Sequence, residues 1–278
     1  MQVILSIAML LASLCSAFCQ EGLIKSHPQL AYWKLGSKSE VVIVLHGGPA
    51  AHHAYLRPEL DLLSESATII YYDQRGCGKS ERADSYTWQD HVKDLRRLIM
   101  TLAPGKKVFL AGSSWGSFLA LLYVQSYPKN IKGLILSGTI KWMGQGKPYI
   151  RDSEFKYNKP HKQPMREKAL AESPQADGTI ELDTVEISKS IEAESGIQYH
   201  EAMASLISAP IADSLARIQV PIIIFNGKRS YQYDWVDHYM LLFQKAELQT
   251  FAVAGHDPWL SDPKQFAKRC SEFILKNK

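Results

Sequence analysis

The sequence predicts an α/β fold, a mostly parallel sheet flanked by helices with an inserted helical cap. Three observations carry that expectation. Six runs, 41–47, 67–73, 107–112, 133–138, 221–227 and 248–255, are apolar for most of their length, as strands covered on both faces are. Helix-length segments separate several of them. The stretch from about 140 to 210 breaks this rhythm: it is rich in Lys, Glu, Pro and Gln, lacks a six-residue apolar run, and is too long for a simple loop.

The first element is the N-terminal "MQVILSIAMLLASLCSAF", uncharged and largely apolar, followed by the polar "CQEG". Its apolar core is too short to span a bilayer and reads as an export signal, residues 1–19, cleaved before Gln20 with Ala17 and Cys19 at the small-residue positions. A lipid anchor on Cys15 or Cys19, or an ordinary buried helix, is the alternative. Export to the periplasm or beyond follows, with no stable membrane insertion once the signal is removed. Only Cys77 and Cys270 then remain, too few for a disulfide framework.

The strand at 41–47 runs into "LHGGPA" (45–50), a Gly-Gly-Pro turn whose backbone amides approach a ligand closely. After the strand at 67–73 comes "TWQDHVKDLRRLIMTLA" (87–103), with Val92, Leu95, Leu98 and Ile99 on one helical face. The strand at 107–112 leads through "AGSSWGS" (111–117) into a helix that stops at Pro128. Gly112-x-Ser114-x-Gly116 in that strand–turn–helix setting is a nucleophile elbow, with Ser114 rather than Ser113 centred between the glycines. The helix N-terminus aims amides at developing negative charge, so the amides of Gly48 and Trp115 are candidate oxyanion donors. The last apolar run ends at His256, a candidate general base in the chain order this chemistry uses. The core is therefore expected at 20–139 and 211–278, interrupted by a cap at 140–210.

Composition excludes other classes. A formal charge of +4 on 278 residues, with both signs interspersed, leaves no footprint for nucleic acid or a membrane surface. His52-His53 is read as a loop feature, no His/Cys cluster has metal-ligand spacing, and serine chemistry requires no cofactor.

Together "HGGPA", "YDQRGCGKS" (72–80) and "GSSWGS" resemble the α/β-hydrolase family, and within it the proline iminopeptidase-like branch, across roughly 40–140 and again 220–265. Asp73 and Arg75 are read as structural, and Ala50 stands where that branch has a second glycine. The resemblance implies removal of an N-terminal residue, often proline, from a short peptide. It also implies cap carboxylates for the free amine, for which Glu181, Glu186, Glu192 and Glu194 are available. It places the third catalytic residue at the fourth position of G-x-x-D, where Gly227 is followed by Ser230. Three readings stay open: Asp234 or Asp237 reaches His256 by another path, a Ser–His dyad operates, or the fold binds a ligand without turning it over. Asp234 also stands at the N-cap of the helix expected over 235–246. The expected activity is amide or ester hydrolysis of a small-molecule or short-peptide substrate.

Overall fold

A computed structural model describes residues 19–139, 195–209, 215–230 and 236–278. The expected export signal up to residue 18, most of the expected cap with its four glutamates, and Asp234 lie outside them. The strands are β1 (Cys19–Ile24), β2 (Leu30–Leu35), β3 (Val41–Leu45), β4 (Thr68–Tyr72), β5 (Val108–Ser113), β6 (Ile131–Ser137), β7 (Ile222–Gly227) and β8 (Glu247–Phe251). They form one sheet in the order β1-β2-β4-β3-β5-β6-β7-β8. From β4 to β8 all neighbours are parallel, while β1 and β2 form an antiparallel edge.

The expected strands are all present, with two differences at the ends. β8 stops at Phe251, so His256 follows a short turn rather than ending a strand. β1 and β2 have no counterpart among the apolar runs: β1 is the mostly exposed edge of the sheet, and β2, though largely buried, has its short apolar run interrupted by Lys34.

Helix α1 (Trp88–Leu102) starts at an N-cap Thr87 whose hydroxyl accepts from the Asp90 amide, and it buries Val92, Leu95, Leu98 and Ile99 as their spacing requires. Helix α2 (Trp115–Ser126) buries every residue from Trp115 to Val124. It has no polar stripe because it packs on the sheet with α1 on its other side. Helix α3 (Ser195–Ser205) lies at the C-terminal end of the expected cap, and helices α4 (Val236–Leu242), α5 (Pro258–Ser261) and α6 (Pro263–Lys276) complete the core. Alternate residues of β3 serve opposite faces of the sheet. Ile43 and Leu45 join the apolar layer of α1 and α2, and Val42 and Val44 join that of α5 and α6.

Strand order fixes where chemistry belongs. From β3 the chain steps to β4 on one side and then to β5 on the other. The C-terminal ends of β3 and β5 therefore flank the point where the winding reverses, the crevice in which such sheets hold ligands. The two turns that meet there are "HGGPA" and "SSWG".

His91 of α1 is buried edge-on to Trp115, with ring centroids 5.4 Å apart, and neither ring nitrogen has a hydrogen-bond partner among the described residues. Burial, and then the charge of Arg75, push it down to about 3. The unfolded chain takes up this proton more readily, so stability is complete above about pH 6.5 and declines as pH falls below it. The expected loss is about 2 kcal/mol by about pH 5. Urea unfolding at both pH values measures this, and His91→Leu should flatten the dependence.

Candidate active site

Ser114 is the single residue between β5 and α2, at φ 53° and ψ −117°. A non-glycine residue at positive φ costs on the order of 1–3 kcal/mol and persists only where its surroundings hold it. Here the Ser114 amide donates to Ser137 O at 2.9 Å. The Ser117 hydroxyl lies 2.7 Å from both Gly112 O and Ser137 O, tying the start of α2 to β5 and β6. Both elbow glycines are obligatory. A Cβ on Gly112 would lie 2.4 Å from the Gly116 carbonyl, and one on Gly116 would lie 2.1 Å from Leu45 O. Any side chain at either place would force α2 off the sheet and swing Ser114 away.

The turn after β3 runs beside this elbow: a Cβ on Gly47 would sit 3.3 Å from the Cβ of Ser114. The Gly47 amide is already committed, donating to the Tyr55 hydroxyl at 2.8 Å. Gly48, at φ 114°, carries the next amide along. Trp115 is the first residue of α2, where an amide has no intrahelical acceptor. Ala50 adopts φ 82°, a conformation that explains a glycine at this place in the branch the sequence resembles.

Three side chains lock these turns together. His46 is fully buried, and its Nε2 accepts from the Gln74 amide at 2.9 Å, so Nδ1 carries the proton and donates to Gly47 O at 2.9 Å. Burial outweighs the pull of Asp73 and brings His46 down to about 4, keeping it neutral. The Gln74 amide group donates to His46 O at 2.8 Å and its oxygen accepts from the Trp115 indole at 2.8 Å. Sequence reading passed over His46 and Gln74, although both belong to the motifs it singled out.

Asp73 and Arg75 have the structural parts expected of them. Asp73 accepts from the His53 amide and ring and from the Lys79 amide, at 2.8–2.9 Å. Burial alone would raise its carboxyl, but the His53 hydrogen bond and charge hold it below the usual range. Arg75 is buried against Asp94 at 2.8 Å and donates to Ser85 O. The ligand atoms of His52, His53 and Asp73 lie within 4.8 Å of one another, the one such group among the described residues. Both Asp73 oxygens already accept from protein donors, and His52 Nδ1 accepts from the Ala54 amide. The set therefore builds a loop, and a metal there would have to displace those bonds.

His256 comes to the elbow from the other side. A Cβ on Gly138 would lie 3.0 Å from its Nε2, and Gly138 directly follows the residue that accepts from the Ser114 amide. The loop carrying His256 is seated on β7, since a Cβ on Gly227 would lie 2.1 Å from Gly255 O. The structure thus brings Gly48, Ser114, Trp115 and His256 to one end of the sheet. Ser230 is buried in the turn that its amide closes onto Gly227 O at 3.0 Å, and the neighbouring Arg229 amide donates to Ala254 O. Asp237 is exposed in the first turn of α4. Asp257, beside His256, is buried and accepts from the Ser113 hydroxyl at 3.2 Å, a third polar group that sequence reading passed over.

The foot of the expected cap docks next to this crevice. Gln198 of α3 is buried and donates to Gly76 O at 2.7 Å, Glu201 accepts from the Ser85 hydroxyl at 3.1 Å, and Ser205 accepts from the Trp88 amide at 2.9 Å. Cys77, buried against Gln198, and the buried Cys270 are both free thiols. No helix among the described residues is long and apolar enough to cross a membrane.

Comparison with known proteins agrees with this architecture. A family described as alpha/beta hydrolase fold matches residues 40–172. A proline iminopeptidase of Thermoplasma volcanium is 36% identical over 125 residues, 43% of this chain and 42% of that protein. A proline iminopeptidase of Lactobacillus crispatus is 44% identical over 118 residues, 39% and 40% of the two chains. The chain thus spans about two-fifths of the length of these relatives. The crystal structure of a serine hydrolase involved in carbazole degradation superposes with a TM-score of 0.75, covering 93% of this chain and all (100%) of that one at 16% identity. That degree of identity speaks for the fold.

Ala50→Gly should stabilise the protein, because it releases a non-glycine residue from φ 82°. The gain expected is about 0.5–1 kcal/mol, the relief being partly offset by the greater freedom of glycine in the unfolded chain. A rise in the urea midpoint at unchanged slope is the readout.

Proposed function

We propose that this chain, which has the alpha/beta hydrolase fold and resembles proline iminopeptidases over part of its length, is a serine hydrolase acting on amide or ester bonds of small substrates. The single observation that carries the reading is the conformation of Ser114, held at φ 53° beside two amide-bearing turns. Strain of this kind at a half-buried serine above a parallel sheet is what a nucleophile requires and what packing alone does not.

In this mechanism the Ser114 hydroxyl attacks the carbonyl carbon as the His256 imidazole takes its proton. The oxyanion accepts from the amides of Gly48 and Trp115; Gly47 is excluded because its amide serves Tyr55. Collapse transfers the proton from His256 to the departing amine or alcohol and leaves an acyl group on Ser114. Water, deprotonated by the same imidazole, then releases the acid. Asp234 is the candidate to orient His256, since Ser230 stands where the related enzymes' carboxylate is expected. An N-terminal prolyl peptide is the preferred substrate class in view of the two peptidase relatives. Export from a leader at residues 1–19 belongs to the same proposal.

A second reading has one observation behind it. The buried hydroxyl at Ser230 carries no charge to stabilise an imidazolium, and losing the acid of a triad costs on the order of 10⁴ in turnover. A fold that binds a ligand without turning it over would tolerate that loss.

A fluorophosphonate probe decides between them. Covalent labelling of the protein from Gln20 onward, absent in Ser114→Ala, is the expected result, and an unlabelled but folded wild-type protein would overturn the serine-hydrolase reading. With a labelled enzyme, faster release of p-nitroaniline from prolyl p-nitroanilide than of p-nitrophenol from p-nitrophenyl acetate is expected for the peptidase assignment. Asp234→Asn should slow labelling at least tenfold; an unchanged rate would assign a dyad instead.

A further inference from the structure

Beneath the crevice three buried polar groups meet that the mechanism above does not use. Asp257 is 2% exposed, Ser113 3% and Tyr55 1%. Ser113 Oγ donates to Asp257 Oδ1 at 3.2 Å. The Tyr55 hydroxyl accepts from the Gly47 amide at 2.8 Å, and its titration is raised by burial and by the Asp257 charge while a hydrogen bond with the Ser113 side chain opposes this. The cluster is therefore continuous from Asp257 through Ser113 and Tyr55 to Gly47.

Three members of that chain are each one residue from the proposed chemistry. Asp257 follows His256, Ser113 precedes Ser114, and Gly47 precedes Gly48. The orientation of Asp257 is also unusual for its place. It occupies the N-cap of α5, where an aspartate ordinarily accepts from the first amides of its own helix, yet its side chain makes no such bond. It turns instead beneath the elbow to Ser113. A carboxylate removed from water and from its own helix, and given to the residue before Ser114, ties the loop of His256 to the elbow.

We propose, resting on the serine-hydrolase reading, that Asp257 is a positioning residue: through Ser113 and Tyr55 it holds the loop of His256, the elbow of Ser114 and the oxyanion turn at Gly48 as one unit from below. Its negative charge, one residue from the imidazole, also favours the protonated histidine formed during attack. Two separable effects follow. The hydrogen bond sets distance, and the charge sets the pH at which His256 becomes a base.

The test is the second-order rate of fluorophosphonate labelling measured against pH, with folding checked by thermal unfolding. Asp257→Asn keeps the shape and an acceptor oxygen but removes the charge. It should slow labelling on the order of 10²-fold, the cost of a small misplacement of reacting groups, and move the acid-side midpoint to lower pH. Ser113→Ala breaks the hydrogen bond while leaving the charge, so it should slow labelling at an unmoved midpoint. Asp257→Glu, which restores charge, should recover the midpoint. Wild-type rate and midpoint in Asp257→Asn would overturn the positioning role while leaving the serine hydrolase intact. An unlabelled wild type would remove the reading and this inference with it. If Asp257→Asn does not fold, Ser113→Ala decides, and a wild-type rate in that variant overturns the proposal.

Discussion

The architecture turns on the contact between Gly116 and the carbonyl of Leu45. There α2 meets β3 backbone to backbone, leaving 2.1 Å for a side chain that glycine does not have. That approach brings the first amides of the helix level with the end of the sheet and makes the turn at Ser114 too short for ordinary dihedral angles. The burial of α2 from Trp115 to Val124 is a second consequence. Over those residues a helix seated this closely against strands, with α1 outside it, has no solvent face, so its sequence becomes apolar almost all round. Position of the serine and composition of the helix are two results of one steric constraint.

Closeness alone would not fix the turn beside it, and polar side chains do that work. His46, Gln74 and Trp115 come from three separate motifs and bond to one another, so the motifs are one object divided along the chain. Every bond in this group runs between neutral partners in a dry setting, where a mispaired group is costly. This is why His46 is kept uncharged, and why a neutral amide side chain suffices to join the β3 turn to the helix.

Much of this was legible in the sequence, and the parts that were not share a cause. Continuous apolar runs gave away β3 to β7, because strands covered on both faces have no polar side to confuse the pattern. The helical face of Val92, Leu95, Leu98 and Ile99 was legible for the complementary reason, a single covered stripe. β1 escaped because it is a mostly exposed edge strand, and β2 because Lys34 breaks its short apolar run. Within the candidate site, the positions of Ser114 and the two glycine turns were legible because turns this tight demand glycines at fixed spacing. Gln74, Tyr55 and Asp257 were not, because a hydrogen bond between residues 8 to 144 positions apart leaves no local trace. Asp257 in particular stands at the N-cap of α5 but gives its side chain to Ser113, 144 residues away.

The docking of α3 has a wider meaning. Helix α3 grips Gly76, Ser85 and Trp88, which belong to the loop and helix after β4. The elbow takes its bracing from within the sheet, through the Ser117 hydroxyl and the carbonyls of Gly112 and Ser137. A change in α3 therefore reaches the loop after β4 first, and the dihedral angles of Ser114 are set without it.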